Sequence, residues 1–288
     1  MKQKVVILVF CFALISFQLF AQIVNGNCFI QANYLELGIG PCGVFGTTIN
    51  APPGYHPRGG FDNPLRLGFV ADHGKDGWNV GAPNYCGDYY VPGTPEEGWG
   101  ITMNGQDYNN NLLCDISDIQ GSVTRYANDG VTITGTWQGM INGIEITSKT
   151  SVPIDKLYFL TEVTMRNVSQ DTIHNLYYMR NIDPDNEVAL TGDYNTLNTI
   201  VSQNPNIDNR AIVTAEGLVY GCFIGLGTRD CRARVAWGGF SNRSAQDAWN
   251  CTSEHQCMGS LNDDIAITIS FKLGDLAPGR QVSLKFVN

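Results

Sequence analysis

The sequence predicts an all-β protein, an antiparallel β-sandwich with long disulfide-held loops in its N-terminal part. The chain contains 32 glycines and 12 prolines. Asn-Gly and Asp-Gly steps recur between apolar runs, so turns follow one another at short intervals, as they do in all-β domains. Apolar and polar residues alternate with a period of two over several stretches, which is typical of strands with one buried face. Long helical periodicity is absent from the sequence.

Residues 1–21 have the order of a secretory signal peptide. An apolar run from Val5 to Phe20 follows two lysines, and Ala21 supplies the small residue at which cleavage is expected. The alternative is an uncleaved membrane anchor, but this run is short for a span of roughly 20 residues. We therefore expect residues 22–288 to be exported to a secreted or cell-surface location, with no membrane span after cleavage.

Eight of the nine cysteines lie beyond this segment. An even number of cysteines in an exported chain favours a disulfide framework, because the compartment is oxidising. Among the many possible connectivities we predict bonds between neighbours in the sequence, namely Cys28 with Cys42, Cys86 with Cys114, Cys222 with Cys231 and Cys251 with Cys257. A structural zinc site is the alternative, but the sequence has no Cys-x-x-Cys pair and its histidines lack ligand spacing.

Residues 22–288 are assigned to one domain because no linker or internal repeat divides them. Within it, the first part, residues 22–115, is expected to be loop-rich, and residues 116–288 to form the regular sandwich. Short strands are predicted in the first part at residues 33–39, 66–71 and 87–91. The loops between them are longer than ordinary connections, so disulfides are expected to hold them.

The regular part is predicted to begin with a meander of consecutive antiparallel strands. Asn128-Asp129-Gly130 and Asn142-Gly143 are predicted hairpin turns, because these residues accept the positive φ of tight turns. The predicted strands are residues 120–126, 130–138, 143–152, 156–167 and 173–182. The final predicted strand, from Arg280 to Phe286, ends two residues before the chain does. Either it closes the sandwich or the sequence is a fragment of a longer surface protein, and we favour the fragment.

The chain is acidic, with a formal charge of −9 that becomes −11 when the two lysines of the signal segment are removed. Such a surface repels nucleic acid and anionic membranes, so neither is an expected partner. The acidity serves solubility, and it also leaves divalent cations and neutral glycans as compatible partners.

A calcium site is predicted in residues 181–187, where carboxylates and amides directly follow a strand. Calcium takes six to eight oxygen ligands, and alternating acidic residues on an irregular loop can converge on one ion. The alternative is a solvated acidic turn in which the carboxylates cap backbone amides. The candidate ligands are Asp183, Asp185, Asn186 and Glu187.

A sugar site is predicted in the aromatic loops between residues 72 and 100. Aromatic rings cover the C–H faces of a sugar, while a carboxylate accepts its hydroxyl protons. The candidate ligand-binding residues are Asp72, Trp78, Tyr89 and Trp99. The alternative is that these rings fill the core beneath the long loops.

No common catalytic motif is present in the sequence, so a catalytic site would have to be assembled by the fold. His73 is the one histidine flanked by carboxylates and is the candidate general base. Asp76, Asp88 and Glu96 are the candidate acidic partners, provided that all four residues converge in one pocket. Glu96 and Glu97 are adjacent, so on a strand they would point to opposite faces and could not act together.

Three segments carry a resemblance to known proteins: GDYYVPGTPEEGWG at residues 87–100, YMRNIDPDN at 178–186 and LGDLAPG at 273–279. Together they resemble exported bacterial proteins and surface adhesins. The second half of the chain looks like the β-supersandwich of the galactose-mutarotase-like class, which implies that fold, and the resemblance as a whole covers residues 65–288. Sugar mutarotases of the class use a His and Glu pair, and the sequence around His174 and His255 does not match that motif.

Three functions remain open at the level of the sequence. The first is a non-catalytic, adhesin-like module, stabilised by calcium, that binds glycans or extracellular proteins. The second is a carbohydrate-active enzyme of the supersandwich type. The third is a self-assembling subunit of a surface filament or coat, in which an unpaired edge strand would recruit another chain.

Overall fold

The computed structural model describes residues 22–240 and 242–288. The predicted signal peptide, residues 1–21, lies outside the described residues. Within the described part of the chain, no helix is long and apolar enough to cross a membrane.

Nearly all regular structure in the described residues is β, which confirms the predicted fold class. The strands are β1 (Ile23–Val24), β2 (Asn27–Gln31), β3 (Leu35–Ile39), β4 (Phe69–Ala71), β5 (Gly98–Met103), β6 (Gln106–Asn111), β7 (Ile116–Ser117), β8 (Gln120–Asn128), β9 (Thr132–Ile141), β10 (Ile144–Pro153), β11 (Leu160–Asn167), β12 (Ile173–Ile182), β13 (Thr196–Ser202), β14 (Ala211–Gly217), β15 (Phe223–Thr228), β16 (Ala233–Trp237), β17 (Ser260–Asp263), β18 (Ile267–Leu276) and β19 (Gln281–Val287). The helices are a 3-10 turn at Leu112–Cys114, α1 (Val188–Thr191) and α2 (Ala245–Asn250).

The strands form three sheets with antiparallel pairing. The nine-stranded sheet has the order β17-β13-β14-β15-β19-β11-β10-β9-β8, and the six-stranded sheet has the order β16-β18-β12-β5-β6-β7. A four-stranded sheet contains β1 to β4 in chain order. Aromatic side chains of the two large sheets meet in the core, where Phe286 of β19 lies 6.2 Å from Tyr178 of β12 and 6.3 Å from Phe271 of β18, measured between ring centroids. One hydrophobic cluster includes residues of both the loop-rich and the regular part.

Four strands of the predicted meander lie side by side, because β8, β9, β10 and β11 are consecutive neighbours in the nine-stranded sheet. Asn142 and Gly143 form the β9–β10 turn with φ values of 44° and 80°. The fifth predicted strand, β12, was assigned to the wrong sheet, since it lies between β18 and β5 in the six-stranded sheet. The physical reason is burial on both faces: residues 176–182 are all buried, and Tyr177 and Met179 pack under α2 rather than facing solvent.

The predicted strand at residues 87–91 is irregular chain in the structure. The disulfide prediction was also wrong in three of its four pairs. The observed bonds are Cys42–Cys114, Cys86–Cys222 and Cys251–Cys257. Cys28, which is buried in β2, and the exposed Cys231 have no disulfide partner in the described part of the chain. The long loops fold back over the sandwich, so cysteines close in space are distant in sequence.

Candidate functional site

The aromatic residues predicted to bind a sugar are mostly core residues. Tyr89 is 2% exposed and Trp99 4% exposed. The Tyr89 ring lies 5.0 Å from that of Phe69. The Trp99 ring lies 5.1 Å from that of Trp137, and its indole N–H donates to the carbonyl of Cys42 at 3.1 Å. These rings fill the core, as the alternative interpretation expected, and offer no face to a ligand.

The other two predicted sugar ligands belong to a separate turn. Asp72 is fully buried, and its carboxylate accepts a hydrogen bond from the Gly77 amide at 2.9 Å. The half-buried Trp78 stacks on His56 with 4.4 Å between ring centroids. Asp72 therefore holds a turn, and Trp78 covers a neighbouring histidine.

The four residues predicted to form a catalytic group do not form one. Asp88 is fully buried, and its carboxylate accepts four backbone N–H groups, from residues 68, 69, 90 and 91, at 2.7–3.2 Å. This hydrogen bonding explains why residues 87–91 remain irregular. His73 and Asp76 are exposed on a turn. Glu96 alone of the four lines the cavity described below.

Two of the four residues predicted to bind calcium form hydrogen bonds with the backbone instead. The Glu187 carboxylate accepts amide hydrogen bonds from residues 219, 220 and 222 at 2.8–3.0 Å. The Asn186 amide donates to the carbonyls of Ala215 and Cys222. Among the described residues, no three His, Cys, Asp or Glu side chains are arranged to hold a metal ion. The predicted ligand set is therefore not assembled, and calcium stabilisation stays a prediction.

A different site lies at one end of the six-stranded sheet, where three adjacent strands begin or end. Asn181 of β12 is the register partner of Gly98 in β5, and Ile182 is the partner of Ile267 in β18. Because the strands are antiparallel, the end of β12 lies beside the beginnings of β5 and β18. Residues just outside those strand ends, such as Glu96, Asp183 and Asp264, are thereby brought to a common edge.

These residues line an open cavity of about 720 Å³, which we call the acidic cavity. Its lining residues are Asp62, Gly93, Thr94, Glu96, Asp183, Tyr194, Phe240 and Asp264. Such a volume is within the range of about 300–1,000 Å³ that small-molecule sites occupy.

Asp183 is the most buried carboxyl group of the acidic cavity, with 6% of the residue exposed. Its carboxylate accepts no hydrogen bond from the described residues. Burial raises the pKa of Asp183 well above its usual value, and the negative charges of Asp264 and Glu96 raise that pKa further. Asp183 is therefore a carboxyl group that holds its proton more tightly than an exposed aspartate, and it faces an open cavity.

An ion pair fixes the neighbouring wall of the acidic cavity. Arg243 is 9% exposed and forms a close ion pair with the Glu96 carboxylate. The same guanidinium donates to the Asn181 side-chain oxygen at 2.6 Å. Arg243 thus ties Glu96, two residues before β5, to Asn181 near the end of β12, and it holds Glu96 at the edge of the cavity.

Two aromatic rings complete the lining. The Tyr194 ring packs on Gly93, where a Cβ atom would lie 2.7 Å from Tyr194 Cε1. Burial raises the pKa of Tyr194, and nearby carboxylates, beginning with Asp185, raise it further. Asp185 is 1% exposed, and neither of its carboxylate oxygens has a hydrogen-bond partner among the described residues. Phe240 supplies a second, apolar ring. The acidic cavity therefore combines hydrogen-bonding carboxyl groups with apolar ring faces.

Sequence reasoning identified Glu96 and Asp183 but assigned them to two different sites. It missed Asp264, Tyr194, Phe240 and Arg243. The available signal was their position beside strand ends, but that signal locates a site only when the order of strands in the sheet is known.

No protein-family model matches this chain, and no curated protein matches its sequence. Among solved structures it is similar to a bacterial glucoamylase complexed with acarbose, at 8% identity and a TM-score of 0.37 over 92% of this chain and 30% of that one. It is similar to a variant of a GH36 alpha-galactosidase from Geobacillus stearothermophilus, at 7% identity and a TM-score of 0.37 over 91% of this chain and 40% of that one.

A galactose mutarotase related enzyme from Lactobacillus acidophilus is also similar, at 10% identity and a TM-score of 0.33 over 91% of this chain and 96% of that one. The chain spans 30% and 40% of the length of the first two structures. At these identities and TM-scores, the similarity assigns no activity to this chain.

Proposed function

We propose that this protein is an exported β-sandwich protein that binds a neutral carbohydrate in the acidic cavity. The observation that carries the proposal is Asp183, a nearly buried carboxyl group that accepts no hydrogen bond from the described residues and lines a cavity with Tyr194 and Phe240. Because this carboxyl group lines the open cavity and accepts no hydrogen bond from the described residues, it can form hydrogen bonds with a ligand bound there.

The composition of the cavity favours a neutral sugar over other small ligands. Sugar hydroxyls donate to carboxylates and accept from protonated carboxyl groups, while C–H faces stack on aromatic rings. The exposed carboxylates of Asp62 and Asp264 also line the cavity, and their negative potential opposes an anionic ligand. The signal-like residues 1–21 and the three disulfides support an extracellular location, where the ligand would be a secreted or cell-surface glycan.

A second candidate function is acid–base catalysis on the bound sugar, which would make the protein a carbohydrate-active enzyme. The observation in its favour is the raised pKa of Asp183 beside Glu96, whose carboxylate is ion-paired with Arg243. A carboxyl group that keeps its proton can act as general acid at an anomeric or glycosidic oxygen, while a neighbouring carboxylate acts as base.

Calorimetric titration of residues 22–288 with neutral sugars and with glucuronate tests the binding proposal. We expect neutral sugars to bind and glucuronate to bind more weakly. We expect Asp183→Ala to lower affinity at least tenfold, because the hydrogen bonds to the sugar are lost. The matched control is Glu145→Gln, which changes an exposed carboxylate on β10 and should leave affinity unchanged. Equal binding by Asp183→Ala and the unaltered protein would contradict the proposal.

The Asp183→Asn variant separates binding from catalysis. An amide of the same shape keeps hydrogen bonds to the sugar but cannot transfer a proton. If the site is catalytic, we expect this variant to bind sugar with an affinity within about threefold of that of the unaltered protein. Its rate of aryl glycoside hydrolysis or of anomer interconversion should fall at least 100-fold, the scale of general acid catalysis. An active Asp183→Asn variant would exclude Asp183 as the general acid.

A further inference from the structure

A second cavity of about 480 Å³ adjoins the acidic cavity, and the two share Glu96 and Phe240 as lining residues. We call it the amide cavity, because Asn109, Asn111 and Asn242 line it. The sharing of Glu96 and Phe240 places the two cavities on either side of this residue pair.

The amide cavity contains a hydrogen-bond acceptor that the described residues leave unused. Asn111 is 2% exposed, and its Oδ1 atom has no hydrogen-bond partner in the described part of the chain. Its Nδ2 atom donates to Asn109 Oδ1 at 2.8 Å, and the Asn109 side chain in turn donates to Asp118 at 3.3 Å. These hydrogen bonds fix the orientation of the Asn111 amide, so its oxygen remains a free hydrogen-bond acceptor among the described residues.

The boundary between the two cavities carries an ion pair and an aromatic ring. Arg243 lines the amide cavity, and it holds Glu96, which lines both cavities. Arg243 is anchored on its other side by Asn181 at 2.6 Å. The Phe240 ring at the same boundary offers an apolar surface to both cavities. A ligand that crosses this boundary therefore meets an ordered ion pair and an aromatic ring.

We infer that the ligand is an oligosaccharide of at least two sugar units that spans the Glu96–Arg243 ion pair, with one unit in each cavity. This inference rests on the proposed function and specifies its substrate class. Each cavity falls within the size range of a small-molecule site, so a monosaccharide bound in one cavity leaves the other to water. A second linked unit enters the amide cavity beside Asn111 without a second loss of translational freedom, so its contacts increase affinity.

Titration with sugars of increasing length tests this inference, using glucose, maltose and maltotriose as one series and glucose, cellobiose and cellotriose as the other. In at least one series we expect the disaccharide to bind at least tenfold more tightly than glucose. Asn111→Leu should remove most of this gain and leave glucose affinity unchanged, whereas Asp183→Ala should weaken every member.

Because Asn111 is buried, its substitution can impair folding, so a second variant is needed. Glu254→Ala serves this purpose, because Glu254 is exposed and lines the amide cavity but not the acidic cavity. We expect it to lower disaccharide affinity by twofold or more and leave glucose affinity unchanged. If glucose binds as tightly as the longer sugars, or if Asn111→Leu and Glu254→Ala weaken glucose and disaccharide equally, the two-cavity inference is overturned while the proposed function stands. If no sugar binds at all, both are overturned.

Discussion

Asp88 and Asp183 are both buried aspartates, and they differ in what surrounds their carboxylates. Asp88 accepts four backbone amide hydrogen bonds, while Asp183 accepts none from the described residues and faces a cavity. The sequence could not distinguish them, because the residues that flank an aspartate do not show which backbone amides its carboxylate will meet. The difference depends on where the amides of residues 68, 69, 90 and 91 point, and loop conformation determines that.

The Asp88→Asn variant tests the structural role of this carboxylate. Burial raises the pKa of Asp88 from 3.8 to about 6, even though four amides lower it. The folded state therefore binds the proton more tightly than the unfolded state. This contribution to stability is fully present below about pH 4 and is lost as the pH rises through about 6.

We expect Asp88→Asn to show a smaller fall in unfolding free energy between pH 4 and pH 7 than the unaltered protein, measured by urea unfolding. At pH 7 the variant should lose about 1–3 kcal/mol of unfolding free energy. The reason is that its side-chain NH₂ group replaces Oδ2, which accepts a hydrogen bond from the Gly68 N–H, and two donors then face each other. An unchanged pH dependence would contradict the role assigned to Asp88. Some fall should persist in the variant, since burial also raises the pKa of Glu97 to about 7.

At the scale of elements, the acidic cavity depends on which strands are neighbours. The hairpins β8–β9 and β9–β10 were predictable from Asn-Gly and Asp-Gly turns and from alternation. The position of β12 was not, because a strand buried on both faces loses the polar alternation that indicates a solvent-facing sheet. Asp183 and Asp264 lie near each other through the register of Ile182 with Ile267, a pairing across more than 80 residues that no local pattern encodes.

The loop that follows β16 is expected to control both cavities, because it carries Phe240. Gly239 has a φ of +75°, and a Cβ atom there would lie 2.2 Å from Cε1 of the fully buried His255. Gly259 has a nearly equal φ of +74°, but a Cβ atom there would meet nothing within 4 Å. The two glycines therefore share the same backbone strain and differ in packing.

We expect Gly239→Ala to lower sugar affinity at least tenfold, because the clash with His255 displaces Phe240. Gly259→Ala should lower the unfolding free energy by about 1–2 kcal/mol, because alanine is strained in this left-handed conformation. It should leave sugar affinity unchanged. Calorimetric titration of both variants measures the difference. Equal affinities would show that Phe240 does not depend on this packing.

At the scale of the whole molecule, one disulfide, Cys86–Cys222, connects the loop-rich part to the regular sandwich. Cys86–Cys222 joins residues 136 apart in the sequence, whereas Cys251–Cys257 joins residues 6 apart. In the chain-entropy account, the longer loop stabilises by about 5 kcal/mol and the shorter by about 2 kcal/mol. We expect the double variant Cys86→Ser, Cys222→Ser to lose clearly more unfolding free energy in urea than Cys251→Ser, Cys257→Ser. The reverse order would contradict the structural role assigned to the longer bond.

The number of reactive thiols tests the disulfide framework. A chain that begins at Gln22 has eight cysteines, of which three pairs are bonded. We expect a thiol reagent to label one residue in the native protein, the exposed Cys231, and two in guanidinium. Cys28 should react only after the protein unfolds, because it is fully buried and burial raises its pKa to about 12. Labelling of no thiol after unfolding would contradict this framework.

Composition and alternation were sufficient to predict the all-β sandwich. They could not predict that Cys86 pairs with Cys222 or that Tyr89 and Trp99 fill the core. Those features depend on the path by which the long loops return to the sandwich, and local sequence does not encode that path.

The most direct test of the carbohydrate proposal is a crystal structure of residues 22–288 soaked or grown with the neutral disaccharide that binds most tightly. We predict sugar hydroxyls within hydrogen-bond distance of the Asp183 carboxyl group, with a ring on each side of the Glu96–Arg243 ion pair. A disaccharide bound elsewhere on the protein, with the acidic cavity empty, would contradict the account.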